Sequence, residues 1–355
     1  MNIFHVVGAR PNFMKAAPVW QALRAYHQVR QSLVHTGQHY DEAMSDVFFR
    51  QLDLPTPDVN LEVGAGTHAQ QTAAIIARLG PLFEEARPDW VIVYGDVNST
   101  VAAALVAAKL GVRLAHVEAG LRSFDRSMPE EINRVVTDQL SDLLFTPSSD
   151  GNENLAREGI SPAKVHLVGN VMIDTLIRLL PRARSFAQEA PPSFLLVTLH
   201  RAANVDDPVF LTNVMETLAR VSERIPVIFP LHPRTRQRIA DWNLEALAGR
   251  LRLLPPFSYL EFLAWQGKAT AVVTDSGGVQ EETSFLGVPC YTLRDNTERP
   301  VTITLGTNTL VGRDLDRLEA ELNKLLNGNV SQRDVKSIPL WDGKASERIA
   351  SILTH

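Results

Sequence analysis

The sequence predicts an α/β protein of two domains, each a parallel sheet flanked by helices. Short β-branched runs alternate with longer helical patterns along the whole chain, which is the signature of βαβ construction. At 355 residues the chain exceeds one ordinary core, so two domains of roughly 150–200 residues are the natural division. Polar, glycine-bearing breaks follow apolar runs at Gly8, at Glu118-Ala119-Gly120 and at Ser276-Gly277-Gly278. Open α/β sheets place their chemistry at such strand ends, and the three breaks are expected to face one cleft.

In the first half, strands are expected at Asn2–Val7, Ser32–Thr36, Trp90–Tyr94, Arg113–Val117 and Leu143–Phe145. Helices are expected at Ala17–Tyr26, Asp41–Leu52, His68–Ala86 and Ser99–Leu110. The last is alanine-rich, with Asn98 or Ser99 to cap it and Gly111 to stop it. A stretch from Val165 to Val171 then separates the halves, and the hinge is placed near Gly169. The second half repeats the alternation, with strands at Phe194–Thr198, Val227–Phe229, Arg252–Leu254, Ala271–Thr274 and Cys290–Leu293. The expected division is 1–169, 170–340 and a terminal helix in 341–355 that returns to the first domain. No low-complexity segment or short repeat interrupts the pattern.

Net charge of −5 and a pI near 6.1 argue against a general nucleic-acid binder, while leaving room for a local basic pocket. The single cysteine, Cys290, excludes an internal disulfide framework and suits a reducing compartment. The first residues lack the charged start and long apolar run of a signal peptide, and no stretch reaches a membrane span. The expectation is a cytoplasmic protein without membrane contact.

The segment Gly8-Ala9-Arg10-Pro11-Asn12-Phe13-Met14-Lys15 follows the first strand and precedes a helix. Its backbone N–H groups and the helix N-terminus can face an anion, and Arg10 and Lys15 read equally as surface charges or phosphate contacts. The glycine fingerprints of dinucleotide and ATP sites are absent, which weakens both of those readings. Asp96, after Trp90–Tyr94, is placed either to cap a helix or to do chemistry. His116 and Glu118 alternate along their strand and its exit. An H-x-E pattern suggests zinc, but the P-C-x-x-C partner is missing, so no metal is expected and His116 reads also as a core histidine. His200-Arg201 ends the first strand of the second half, where a charged histidine beside an arginine can donate to phosphate. Ser276-Gly277-Gly278 lets backbone amides approach a pyrophosphate, with Glu282 one turn further on to meet ribose hydroxyls.

Together these residues resemble the non-hydrolysing UDP-N-acetylglucosamine 2-epimerase family. The shared pattern runs nearly the whole chain: G-x-R-P at Gly8–Pro11, the Gly95-Asp96 segment, H-x-E-A-G-L-R from His116, P-E-E-x-N-R from Pro129, His200-Arg201, D-S-G-G-x-Q-E-E from Asp275, and Asp295–Pro300. The resemblance implies a GT-B-like architecture of two Rossmann-like domains with a cleft between them, a homodimer, a UDP-sugar substrate and no cofactor. It implies Asp96, Glu118, Glu130 and His200 as catalytic residues. Arg10, Lys15, Phe262, Ser276, Gly277, Gly278, Glu282 and Arg299 are implied as substrate contacts, with Phe262 against the uracil.

The implied reaction explains the carboxylates. The C2 proton of an N-acetylhexosamine lies beside no carbonyl, so direct deprotonation is too costly. If UDP leaves C1 first, the developing oxocarbenium acidifies C2–H, giving a 2-acetamidoglucal to which UDP adds back with the proton on the other face. Three carboxylates in the first half favour this over glycosyl transfer within the same fold. A hydrolysing relative, a 2,3-diacetamido-sugar 2-epimerase and a UDP-sugar sensor remain as alternatives. Two departures stand out. The family's R-x-E-N is Arg201-Ala202-Ala203-Asn204 here, and a Q-x-x-Q pattern that binds a second UDP-sugar in some members is only Gln38-His39-Tyr40-Asp41. The second departure argues against an allosteric requirement.

Overall fold

The computed structural model describes residues 1–38, 49, 51–328 and 337–355. They divide into two compact units, Met1–Thr175 with Pro339–His355, and Leu176–Ile338. The helix expected over Asp41–Leu52 falls mostly on residues outside those described, as do His39, Tyr40 and Asp41.

The first unit is built on strands β1 (Asn2–Val7), β2 (Arg30–His35), β3 (Val59–Asn60), β4 (Trp90–Tyr94), β5 (Arg113–Val117), β6 (Leu143–Thr146) and β7 (Val165–Leu167). They form one parallel sheet in the order β3-β2-β1-β4-β5-β6-β7. Chain progression reverses between β1 and β4, which opens a crevice at their C-terminal ends. On one face Phe4, Val6, Val34, Val91 and Val93 pack against Ile75, Leu79 and Phe83 of the helix His68–Ala86. Ala102, Ala103, Ala104 and Ala107 of the helix Asn98–Leu110 complete that layer, their small side chains letting the helix lie close to the strands.

The second unit repeats the plan with β8 (Leu195–Thr198), β9 (Val227–Pro230), β10 (Arg252–Leu254), β11 (Ala271–Thr274), β12 (Cys290–Thr292) and β13 (Asn308–Leu310). Its order is β10-β9-β8-β11-β12-β13, again parallel, with the reversal between β8 and β11. Leu195, Val197, Phe229 and Val273 pack against Phe210, Leu211, Val214 and Leu218 of the helix Pro208–Val221. Two Rossmann-like parallel-sheet units are the GT-B-like plan that the sequence predicts. Among the described residues no helix is long and apolar enough to cross a membrane.

Two differences from the sequence reading have clear causes. The first helix spans Arg10–Leu23 rather than starting at Ala17, and it contains Pro18. Pro11 lies in the first turn, where its missing N–H is not needed. The cost of Pro18 is offset by burial of Phe13, Met14, Ala17 and Val19 on the same helix. The short strands β3, β7 and β13 at the sheet margins carry only two or three residues, too few for a local pattern to announce them.

The terminal helix Ala345–Thr354 belongs to the first unit and packs against the helix Arg10–Leu23. The buried Asp174 carboxylate accepts the Ala345 and Ser346 amides at 3.2 and 2.7 Å, and the Ser346 hydroxyl at 2.6 Å. Trp341 Nε1 donates to the Pro147 carbonyl at 2.9 Å.

Candidate active site

In the first unit the residues singled out by sequence gather at the C-terminal ends of β1, β4 and β5. Gly8 and Ala9 end β1, and their amides donate to Asn12 Oδ1 at 3.0 and 3.2 Å. Those two donors, which the sequence offers to an anion, are thus already used. Arg10 opens the helix as an exposed guanidinium. Lys15, in the second turn, is buried and its ammonium pairs with Glu118 Oε2.

Glu118 follows β5 with φ +73°, in the left-handed region. A non-glycine residue there costs on the order of 1 kcal/mol and is held by its surroundings. Its amide and that of Ala119 both donate to the Phe145 carbonyl at 3.0 Å. The alternation expected of His116 and Glu118 therefore stops at Val117, because the chain turns before Glu118. Gly95, at φ +61°, makes room for this arrangement. A Cβ there would stand 2.7 Å from Lys15 Nζ and 3.1 Å from Glu118 Oε2.

Asp96 caps no helix. The helix begins at Asn98 with Val97 at its N-cap, not with Asn98 or Ser99 in that place. The Asp96 carboxylate instead pairs with Arg134 Nη1 at 2.5 Å, and its carbonyl accepts Asn133 Nδ2 at 2.8 Å. Arg134 and Asn133 lie on the helix Pro129–Leu140, whose acidic first turn complements the helix dipole.

The neighbouring glutamates of that turn differ sharply. Glu131 is buried and accepts from the Ser123 amide and hydroxyl at 2.9 Å, the Phe124 amide at 2.9 Å, and Arg134 Nη2 at 2.6 Å. Although burial opposes its charge, these donors hold its pKa below the usual carboxylate range. Glu130 is half-exposed and lines a cavity of about 280 Å³ with Gln38, His68, Val97, Asn98 and Asn133. A larger hollow of about 760 Å³ lies at the opposite end of the sheet, by Arg87, Asp89 and Arg113, and contains none of the motif residues.

His116 proves to be a buried tie. Its Nε2 meets the Gly95 carbonyl at 2.8 Å and its Nδ1 meets Asp138 Oδ1 at 2.7 Å. Asp138 Oδ2 also accepts the Gly120 amide at 3.1 Å and pairs with Arg122 at 2.7 Å, and Arg122 grips Glu158 with two bonds of 2.7 Å. Burial disfavours the Asp138 charge, yet His116 and Arg122 hold its pKa below the usual value. This network pins the turns after β4 and β5 that carry Asp96 and Glu118.

In the second unit the motif residues stand at the ends of β8, β11 and β12. The helix Gly277–Leu286 follows β11 and starts without a side-chain cap, so its first N–H groups point out of the helix end. A Cβ on Gly277 would stand 2.6 Å from Arg299 Nη1, so a side chain there would displace that guanidinium. Arg299 pairs with Glu281 at 2.8 Å and with Glu298, which also holds Arg294 at 2.7 Å. Despite its burial, Glu298 is kept strongly acidic by the two arginines. The pKa of Arg201 is lowered by burial and then by Arg294, with Glu298 and Asp275 acting in the opposite direction. Gly278 and Ser276 flank this helix start, half-exposed, and Phe262 is half-buried on the helix Tyr259–Gln266.

His200 follows β8 with its ring held by Asp275, Nδ1 to Oδ1 at 3.0 Å. Glu282 is buried, accepts the Tyr259 hydroxyl at 3.0 Å, and has its pKa raised by burial to about 7. The sequence reading passed over Glu131, Arg134, Asp138 and Asp275 as individuals. Glu131 and Arg134 had a signal in their i, i+3 spacing on a helix. Asp275 heads the D-S-G-G motif, although nothing local names His200 as its partner, and Asp138 has no local signal, since its partners are distant in sequence.

A family model described as UDP-N-acetylglucosamine 2-epimerase matches residues 21–354. The chain belongs to this family. It is 42% identical to the UDP-N-acetylglucosamine 2-epimerase of Methanocaldococcus jannaschii, covering 100% of this chain and 99% of that one. It is 43% identical to the UDP-2,3-diacetamido-2,3-dideoxy-D-glucuronate 2-epimerase of Pseudomonas aeruginosa, covering 99% of each. A crystal structure of the Methanocaldococcus jannaschii UDP-GlcNAc 2-epimerase in complex with UDP-GlcNAc and UDP is similar with a TM-score of 0.91 at 42% identity, over 100% of this chain and 99% of that one.

Proposed function

We propose that this chain interconverts UDP-N-acetylglucosamine and UDP-N-acetylmannosamine by eliminating UDP and adding it back. The observation that carries the mechanism is the pairing of two strand-end carboxylates with cations, Asp96 with Arg134 and Glu118 with Lys15. In the elimination the C1–O bond breaks with its electron pair on UDP, a carboxylate takes the C2 proton, and a C1=C2 double bond forms. Re-addition returns UDP to C1 and a proton to the other face of C2. Two acid–base groups are needed, and they are drawn from Asp96, Glu118 and Glu130. Arginine and lysine at the first two hold these carboxylates in place while charge develops nearby.

In the second unit, the capless helix start at Gly277 and Gly278, together with Ser276, Arg299 and His200, is suited to the diphosphate. Phe262 is assigned to the uracil face and Glu282 to the ribose, with Arg10 a further diphosphate contact. Elimination and re-addition are redox-neutral, so the reading uses no cofactor. It includes a homodimer working in the cytoplasm.

Incubation with UDP-N-acetylglucosamine in D2O tests the proposal. Deuterium should enter C2 of both epimers with no net loss of UDP-sugar. Accumulation of UDP and free sugar would make the chain a hydrolase, and absence of exchange would remove the epimerase reading. The Pseudomonas aeruginosa relative favours one second reading, a 2,3-diacetamido uronic sugar as substrate. Running the exchange on both nucleotide sugars decides between them by their kcat/KM ratio.

A further inference from the structure

We infer that Asp275 is a positioning residue that holds the His200 imidazole with Nδ1–H inward, so that Nε2 is the nitrogen presented to the leaving diphosphate. What His200 does rests on the epimerase reading; how it is held does not.

Asp275 closes β11 and is fully buried. Its carboxylate receives the His200 amide at 3.1 Å, the Arg201 amide at 3.0 Å, Asn204 Nδ2 at 3.2 Å and the His200 ring nitrogen Nδ1 at 3.0 Å. An ionised carboxylate only accepts, so a ring bonded to it through Nδ1 carries a proton there. Burial opposes the charge on Asp275, but the His200 ring and the backbone donors keep its pKa below the ordinary range. The ring also lies near that of His232, with centroids 5.9 Å apart and planes at 44°. The His200 side chain is nonetheless 41% exposed. It is therefore fixed at its root while its far edge faces outward.

The placement follows from topology. β8 and β11 are neighbours at the point where strand order reverses, so their C-terminal loops flank one crevice. Asp275 belongs to the β11 loop and binds three backbone or side-chain donors of the β8 loop, tying the two together. The residues that follow it, Ser276 and Gly277, open the helix assigned to the diphosphate. One carboxylate thus sets the position of the histidine relative to the amides that would share its anion. Asp275 itself touches no substrate in this scheme. It acts by keeping Nδ1–H on the carboxylate and limiting rotation, so that Nε2 is the nitrogen aimed at the diphosphate, accepting in the neutral ring and donating once it carries a second proton.

Long-range ¹H–¹⁵N spectra of the ¹⁵N-histidine-labelled full chain, with His200→Gln to assign the signal, read the tautomer directly. The expected result is a proton on Nδ1 in the neutral ring, retained when UDP is added; an Nε2–H tautomer overturns the inference. The second arm compares Asp275→Asn, His200→Gln and the double variant in the C2 exchange. Each single change should lower kcat on the order of 100-fold with KM little altered. The double should be no worse than His200→Gln alone. Additive losses would mean that Asp275 acts on something other than His200 and would sink the proposal. Should no UDP-sugar exchange at all, the epimerase reading fails, while the wild-type tautomer still decides for or against Asp275.

Discussion

Adjacent side chains with the same chemistry have opposite duties in the turn that holds Glu130 and Glu131. Glu131 is buried and satisfies two backbone amides, a hydroxyl and Arg134, so replacing its charge leaves donors without an acceptor. Glu131→Gln should cost about 3 kcal/mol of stability, measured by urea unfolding. Glu130→Gln should leave the unfolding midpoint unchanged while abolishing C2 exchange, with UDP affinity retained. If exchange survives, Glu130 leaves the mechanism. Glu282 gives a pH prediction at the same scale. Its folded pKa is raised by burial from 4.5 to about 7, so the folded state binds the proton more tightly than the unfolded one. The resulting stability is fully present below about pH 4.5 and is lost as pH rises to about 7. Glu282→Gln, which mimics the protonated form, should gain on the parent by on the order of 3 kcal/mol between pH 4.5 and 8. A constant difference across that range would show that Glu282 ionises normally. The family resemblance points to Glu130 within the P-E-E motif, but residue type alone does not reveal that Glu131 is the buried one, because burial depends on which way a loop from Ser123 folds over it.

Elements join through contacts that the local pattern leaves unspecified. The terminal helix Ala345–Thr354 buries Ile349, Ala350 and Leu353, and its first amides end on Asp174, more than 170 positions earlier. Ile349 is fully buried, so Ile349→Ala should lower stability by about 3 kcal/mol through lost transfer energy and a cavity. A loss below 1 kcal/mol would mean that the helix contributes little to the first unit's core. Amphipathicity made this helix legible in the sequence, and Asp174 was not, since an isolated aspartate carries no mark of its partner. The long β-branched strands β1, β4 and β5 were equally legible, at the residues where they occur. The edge strands β3, β7 and β13 depend on pairing with a neighbour, which propensity does not encode.

At the level of the whole chain, a net charge of −5 coexists with local charge pairing, Arg294 and Arg299 beside the helix start being matched by Glu281 and Glu298. Global charge therefore sets solubility and long-range repulsion, while an anion responds to the field of the strand ends. Cys290 offers a reporter of the second unit. It lies in β12, is fully buried, and has its thiol pKa pushed up by burial to about 11. A thiol reagent at pH 8 should label it only when that unit opens. UDP at 100 times its Kd should slow labelling about 100-fold if the nucleotide binds the folded second unit. An unchanged rate would place UDP binding elsewhere.

Sequence by itself determined the α/β class, the parallel alternation, the strand-end location of the polar motifs and the epimerase family, because these depend on short-range periodicity and on residue types in fixed order. Tertiary structure alone decided that Lys15 serves Glu118, that Arg134 serves Asp96, that His116 is a tie and that Asp275 holds His200. Each of those contacts joins residues between 21 and 103 positions apart, from His116 with Gly95 to Lys15 with Glu118. Charges find partners through space, and only the folded path of the backbone fixes which ones meet.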